Sequence, residues 1–190
     1  MRNDRIRILV EIGLTVALAA VLNLVKIWRM PNGGAISLEM LPLIVLALRR
    51  GVGPGMIAGA MYGVVELMFD AYVVNWLQFL IDYPVAYALV GIAGIGSASW
   101  RRAATKGSAT KATVVALGWT AAGGIGRFYA HWVSGLVFFA QYAPKGTPVA
   151  IYSAVYNASY MVPSLAAVGA AAVLVLPALE RAVPVSASAS

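Results

Sequence analysis

The chain has 190 residues, of which 61% are hydrophobic and 11% are charged, and its formal net charge is +7. So little polar material cannot cover the surface of a soluble globule, and the composition therefore predicts an integral membrane protein. Cysteine is absent, which excludes disulfides and thiolate metal sites. The basic residues fall at the ends of apolar segments rather than in one patch, which argues against nucleic-acid binding.

Long apolar runs separated by short polar breaks predict helices, because a membrane β-barrel would show alternating segments of about ten residues. The first run, 6–25, is too long for the apolar region of a signal peptide and is predicted to be a retained helix. A Pro/Gly-rich loop at 30–35 and a basic loop at 99–111 are also predicted. The remaining spans are predicted at 39–48, 52–68, 76–97, 112–141 and 147–176.

The fold class is therefore an all-α integral membrane protein with six transmembrane helices. Residues 1–181 are predicted to form a single six-helix domain, and the small, polar tail 182–190 is predicted to be disordered. Six spans place both termini on one side. Ten basic residues fall on that side, against Lys26, Arg29 and Lys145 on the other, so both termini are predicted to be cytoplasmic. The ten are Arg2, Arg5, Arg7, Arg49, Arg50, Arg101, Arg102, Lys106, Lys111 and Arg181.

Polar side chains inside the predicted spans converge at one level of the membrane. Arg127 and His131 are four residues apart and so share one face of a helix. At 1.5 Å per residue they lie in the same outer half of the membrane as Asp82, Asn157 and Glu39. Two further residues on the third helix, Tyr62 and Glu66, approach that level.

Ionisable groups in hydrocarbon are costly and persist when they pair or bind a ligand. One interpretation is structural: an ion pair between Asp82 and Arg127, with His131 as an ordinary core histidine. The combination of carboxylate, base, amide and aromatic faces instead favours a binding site. Such a set suits a small, flat, cationic heteroaromatic ligand, because rings stack on aromatic faces and a positive ring is attracted to π-density.

Four segments resemble one known family: LRRG (48–51), LQFLIDYPVAYALVGIAG (77–94), GRFYAHWVSGLVFFAQYAPKGTPVAIYS (126–153) and YNASYMVPS (156–164). They are similar to the thiamine-specific substrate-binding subunits of energy-coupling factor transporters, the ThiT/YuaJ family. The resemblance implies a multi-pass protein of the bacterial cytoplasmic membrane that binds thiamine near the extracellular face. Its implied partners are a transmembrane coupling protein and two ATPase subunits, and it implies no catalysis, cofactor or metal in this chain.

The resemblance also implies which residues contact the ligand. Asp82 stands where the family has an acidic residue that bonds the aminopyrimidine, and Tyr83 follows it as in the family. Arg127 occupies a basic position that is lysine in some members. The other implied ligand contacts are His131, Tyr152 and Asn157, with Glu39 near the thiazolium.

Aromatic positions complete the implied pocket. Phe139 occupies a stacking position that is tryptophan in some members, whereas Ala35 stands where some members have a second stacking tryptophan. Tyr62 and Tyr72 stand at aromatic positions that line the family's pocket.

The first helix carries Gly13 and Ala17 four residues apart, with Ala20 one turn further on. Small residues at this spacing allow another helix to approach closely. The resemblance implies that the approaching helix belongs to the coupling protein. Packing within the subunit is the alternative.

Three function classes follow. The first is a binding subunit without chemistry of its own, since the chain has no GxxxxGK[ST] motif for ATP. The second is a self-sufficient proton-coupled carrier for a small cationic heteroaromatic solute, with Asp82, Glu39 and His131 as a relay. The third is an intramembrane enzyme with Asp82 and His131 as acid and base. The first is preferred because no inverted repeat, nucleophile motif or metal triad is apparent.

Overall fold

The computed structural model describes residues 2–182, with side chains from residue 4 onward. A two-residue antiparallel ladder, β1 (Trp28–Arg29) with β2 (Ala35–Ile36), follows the first helix. The predicted tail 182–190 lies outside the described residues apart from its first position. The predicted all-α fold class is confirmed. The six helices are α1 (Arg2–Leu24), α2 (Met40–Arg50), α3 (Val52–Asp70), α4 (Trp76–Thr105), α5 (Ala109–Phe138) and α6 (Val149–Ala182).

Four of the helices, α1, α3, α4 and α6, are long and apolar enough to cross a membrane. Helix α5 also has the length, but the polar side chains on its inner face lower its hydropathy. Helix α2 has 11 residues, about 16 Å of helix, and is shorter than the hydrocarbon core of about 30 Å. Most of its side chains are buried, so α2 forms the centre of the bundle rather than a lipid-facing span.

Two predicted loops differ in the structure. The predicted basic loop 99–111 is wrong over its first half, because α4 continues to Thr105 before the chain turns at Gly107 with φ +71°. Alanine and arginine have high helix propensity, so the helix continues beyond its apolar residues into the basic segment. The predicted loop 30–35 is the turn of a small hairpin. Its strands β1 and β2 have two residues each, too few to show the alternating apolar and polar pattern that predicts a strand.

Helix α4 is irregular where it meets α3. Residues Ile81–Val85 form a π-helical turn that contains Pro84. Proline has no N–H to donate and crowds the preceding turn, which explains why the helix widens here. Gly63 of α3 faces this turn, where a Cβ atom would collide with the carbonyl oxygen of Tyr83. The close approach and the wide turn together place Asp82 on the inner side of the bundle.

Ion pairs join three helices at one end of the bundle. Arg50 of α2 donates to the carboxylate of Glu11 on α1, and Arg49 pairs with Glu180 on α6 at 2.9 Å. Both ends of the described chain therefore lie at the same end of the bundle. The opposite end, where α2 begins, holds the polar residues.

Candidate functional site

A cavity of about 260 Å³ lies at the end of the bundle where α2 begins. The hairpin, α3, α4, α5 and α6 all contribute to its wall. Nine of the ten predicted ligand-binding residues line it, while Tyr62 is fully buried behind Glu39. The predicted residues are thus brought together, and their contact with a ligand stays a prediction. The nine are Glu39, Tyr72, Asp82, Tyr83, Arg127, His131, Phe139, Tyr152 and Asn157.

A buried ion pair stands at the base of this site. Glu39, which is 3% exposed, accepts hydrogen bonds from the hydroxyls of Tyr62 and Tyr87 at 2.9 and 2.6 Å. It also accepts one from Nη1 of Arg127 at 2.9 Å, and Nη2 of Arg127 donates to the Tyr87 oxygen at 2.6 Å. Several partners for each charge are what a buried pair requires. The alternative pair between Asp82 and Arg127 is therefore not the one formed: Arg127 pairs with Glu39.

Asp82 lies beside His131 in a hydrogen-bonded row. The Nε–H of Arg127 donates to Nε2 of His131 at 3.2 Å, and Nδ1 of His131 lies 3.0 Å from Oδ1 of Asp82. Oδ2 of Asp82 accepts from Gln78 and from Ser134, each at 2.7 Å. An ionised carboxylate has about four acceptor positions, so Asp82 keeps room for about one more donor.

Asn157 offers its amide to the cavity in a fixed orientation. Its Nδ2 donates to the carbonyl oxygen of Ser153 at 2.9 Å, and its Oδ1 accepts from the hydroxyl of Tyr160 at 2.8 Å. Tyr152 is five residues earlier, about 140° away on an ideal helix. It nevertheless lines the same cavity, because it lies in the first turn of α6.

Aromatic rings form one wall of the cavity. Tyr72 and Phe139 stack with centroids 5.9 Å apart, and Phe139 stacks on Tyr142 at 6.1 Å. The hydrogen bond between the hydroxyls of Tyr72 and Tyr142, 3.1 Å long, raises the pKa of Tyr72. The Tyr83 hydroxyl accepts from the backbone N–H of Tyr72 and donates to the carbonyl of Asp70, which holds this loop against α4.

The hairpin covers the cavity and is attached to α6. The backbone N–H of Asn32 donates to the Tyr156 hydroxyl at 2.8 Å, and that hydroxyl lies 3.1 Å from the carbonyl oxygen of Gly33. Gly34 has φ +91° and packs so closely on Tyr160 that a Cβ atom would lie 2.6 Å from the ring. Only glycine fits this position without strain.

The charges of the cavity wall do not balance. Lys26, just before the hairpin, and Arg29, in its strand β1, both pair with Asp70, the latter at 2.9 Å. With all four carboxylates ionised and His131 neutral, the wall holds one more negative than positive charge. Within residues 2–182, no group of three potential ligands could hold a metal ion. The charged residues of the wall are Lys26, Arg29 and Arg127 against Glu39, Glu66, Asp70 and Asp82.

Several residues of the site were not predicted. Gln78 precedes Asp82 by four residues, and Tyr156 and Tyr160 flank Asn157 on α6, so helical spacing could have found them. Tyr87, buried and fully paired, could not be distinguished from an ordinary core aromatic residue.

Gly13 and Ala17 lie far from this cavity, on an exposed face of α1. A Cβ atom at Gly13 would meet nothing within 4 Å. The interpretation that these small residues serve packing within the subunit is therefore wrong. That they dock a coupling protein stays a prediction.

Comparison with known proteins decides the family. The sequence profile described as thiamine transporter protein (Thia_YuaJ) matches residues 9–184. The chain belongs to this family. A relative from Bacillus subtilis (strain 168), thiamine transporter ThiT, is 40% identical over 159 residues, 82% of this chain and 83% of the relative. A thiamine transporter ThiT from Lacticaseibacillus paracasei is 36% identical over 122 residues, 62% of this chain and 61% of the relative.

A solved structure agrees with this membership in the thiamine transporter family. ThiT from Listeria monocytogenes matches with a TM-score of 0.84 at 28% identity, covering 95% of this chain and 97% of that one. The predicted family resemblance is confirmed, and so is the prediction of a multi-pass protein of the bacterial cell membrane. The family is one of transporters rather than enzymes.

Proposed function

We propose that this chain binds thiamine in the cavity and serves its uptake as the substrate-binding subunit of an energy-coupling factor transporter. The observation that carries the proposal is the cavity itself: aromatic faces, an oriented amide and one excess negative charge surround about 260 Å³. That volume lies just below the range for small-molecule sites, about 300–1,000 Å³, and so suits a small ligand. Thiamine, a monocation with two small rings, matches this combination. The similar proteins from other bacteria are named thiamine transporters.

The proposed contacts follow from the groups that have capacity left. Asp82 has one acceptor position free and would accept from the amino group of the aminopyrimidine. The second Nδ2–H of Asn157, which makes only contacts of 3.4 Å to His131 and Ser153, would donate to a ring nitrogen. Phe139 and Tyr72 supply stacking faces, and a positive ring is favoured over such faces. Glu39, by contrast, is only 3% exposed and pairs with Arg127, so its proposed role is to hold Arg127 in place.

Membrane orientation follows from charge. The end of the bundle with both described chain ends carries most basic residues, and we infer that it faces the cytoplasm. The cavity then opens to the outside, where thiamine would be captured. The exposed small residues Gly13 and Ala17 offer α1 to a transmembrane coupling protein, and two ATPase subunits would supply energy that a chain without a nucleotide-binding motif cannot supply.

One observation favours the second candidate, a self-sufficient proton-coupled carrier. Glu39, Arg127, His131 and Asp82 form a continuous hydrogen-bonded row, as a proton relay would. The row stays within the cavity wall, however. Between Glu39 and the ion pairs at the other end lie buried apolar residues of α2, including Leu43, Ile44 and Leu48.

Uptake measurements separate the two candidates. Cells that lack their own thiamine uptake would express the chain alone, or together with the coupling protein and ATPase subunits. The proposal expects thiamine accumulation only in the second case, and loss of it when the ATPases are inactivated. Accumulation by the chain alone, abolished by an uncoupler, would support the carrier. Mass spectrometry of the ligand recovered from the purified chain would show unaltered thiamine and exclude an enzyme.

A further inference from the structure

Glu66 is a carboxylate of the cavity wall to which the family resemblance assigns no role. It lies on α3, one turn after Tyr62 and one turn before Asp70. The other three acidic residues of the wall have protein partners. Asp70 pairs with two cations, and Glu39 and Asp82 each accept three hydrogen bonds.

Glu66 differs from these three. Among residues 4–182, no basic side chain forms an ion pair with it. The Tyr87 hydroxyl lies beside it, but its single proton is directed at Oε1 of Glu39 at 2.6 Å. Arg127 and Lys26, the two cations whose charges act on it, contact Glu39 and Asp70 instead. The acceptor positions of Glu66 are therefore open towards the cavity.

The excess negative charge of the cavity can be assigned from these contacts. Arg127 balances Glu39, and Lys26 and Arg29 together exceed the charge of Asp70 by one. Within residues 4–182, Asp82 and Glu66 are therefore the two carboxylates of the wall without a lysine or arginine partner. Asp82 has room for only about one more donor. A carboxylate without an ion-pair partner in an apolar surrounding is costly to ionise, and a cationic ligand offsets that cost. Glu66 is the carboxylate with the most open positions for such a ligand.

We propose that Glu66 is the counter-ion of the permanently charged ring of the bound ligand, while Asp82 takes its neutral amino-substituted ring. The inference rests on the proposed function, since it names the group that recognises the thiazolium of thiamine. It divides recognition between two carboxylates on neighbouring helices. Glu66 would select for charge, and Asp82 for hydrogen-bond donors.

The test compares thiamine with 3-deazathiamine, in which a neutral thiophene replaces the thiazolium. Both are titrated into purified, detergent-solubilised wild type and Glu66→Gln. Glutamine keeps the size of the side chain and removes its charge. The variant should bind thiamine at least about tenfold more weakly, because a desolvated charge pair is lost. Its affinity for the neutral analogue should change by less than about twofold.

Two further variants control this experiment. Glu180→Gln removes a carboxylate at the opposite end of the bundle and should leave the affinities for both ligands unchanged. Glu66→Asp retains the charge and should retain most of the preference for thiamine, and it serves as the test if Glu66→Gln does not fold. An equal loss for both ligands, or unchanged thiamine binding in Glu66→Gln, would overturn the inference. Wild-type protein that binds neither ligand would overturn the proposed function as well.

Discussion

The Nε–H of Arg127 donates to Nε2 of His131, which sets the protonation of the imidazole. A ring nitrogen that accepts a hydrogen bond carries no proton, so the neutral ring has its proton on Nδ1 and donates it to Asp82. Both nitrogens of His131 are thus engaged by the protein. What the ring can offer a ligand is its face, which suits a flat heteroaromatic molecule.

Binding should weaken at acidic pH because of this arrangement. Protonation of Nε2 would break its bond to Arg127 and place two positive charges together beside a cationic ligand. Asp82 opposes this effect, and the Tyr160 ring of α6 packs edge to face with the imidazole, with centroids 6.4 Å apart. We expect affinity for thiamine to fall as the pH is lowered, by at most about tenfold per pH unit for a single opposing proton.

Titrations of wild type and His131→Gln between about pH 5 and 8 check this prediction. Glutamine cannot acquire a charge and should lose most of the dependence. Identical profiles for the two proteins would show that another group, such as a carboxylate, carries the proton linkage.

The pair of Glu39 and Arg127 should show strong coupling in stability. Arg127→Gln leaves Glu39 buried without its counter-charge, and we expect a loss of about 3–5 kcal/mol. The double variant Glu39→Gln with Arg127→Gln should recover about 1–3 kcal/mol of the summed single losses. The free energy of unfolding would be measured by denaturation in detergent for the wild type, the two single variants and the double variant. Additive losses would mean that the two side chains do not act as a pair.

Substitution at Gly34 should disturb the cover of the cavity. A Cβ atom there would force the hairpin or the Tyr160 ring to move, and we expect Gly34→Ala to cost about 1–3 kcal/mol of thiamine binding. Gly146 is the matched control, because it has φ +86° but open space around it. Gly146→Ala should leave affinity nearly unchanged, and equal losses in both variants would refute the role given to the contact with Tyr160.

Bulky residues on the exposed face of α1 should separate binding from uptake. Gly13 and Ala17 lie far from the cavity, so the variants Gly13→Trp and Ala17→Trp should retain their affinity for thiamine. Uptake should nevertheless be lost in cells that express the complete transporter. Co-purification of the coupling protein provides a second measurement. Normal uptake, or a loss of binding as large as the loss of uptake, would contradict the docking proposal.

The fold class and the convergence of the site could be predicted from the sequence for a simple reason. Polar residues are rare in apolar segments, so each one is conspicuous, and the rise of 1.5 Å per residue gives its depth. Asp82, Arg127, His131 and Asn157 were all located in this way, and all four line the cavity.

Rotation about the helix axes could not be predicted, and it decides the pairing. Depth alone led to a predicted pair of Arg127 with Asp82, whereas in the structure Arg127 pairs with Glu39. The π-helical turn at Pro84 changes the direction of the side chains that precede it, which a regular helix does not reproduce. Tyr87, which orients both members of the pair, was missed because nothing in its surroundings marks it as polar.

The most direct test of the central claim is a titration of purified wild-type protein with thiamine, followed by intrinsic fluorescence. Five tryptophans are available to report binding. We expect saturable binding of one thiamine per chain. Asp82→Asn removes a carboxylate acceptor, so its affinity for thiamine should be at least about tenfold weaker than that of the wild type. Folded wild-type protein that shows no saturable binding, or an Asp82→Asn variant that binds as tightly as wild type, would contradict the central claim.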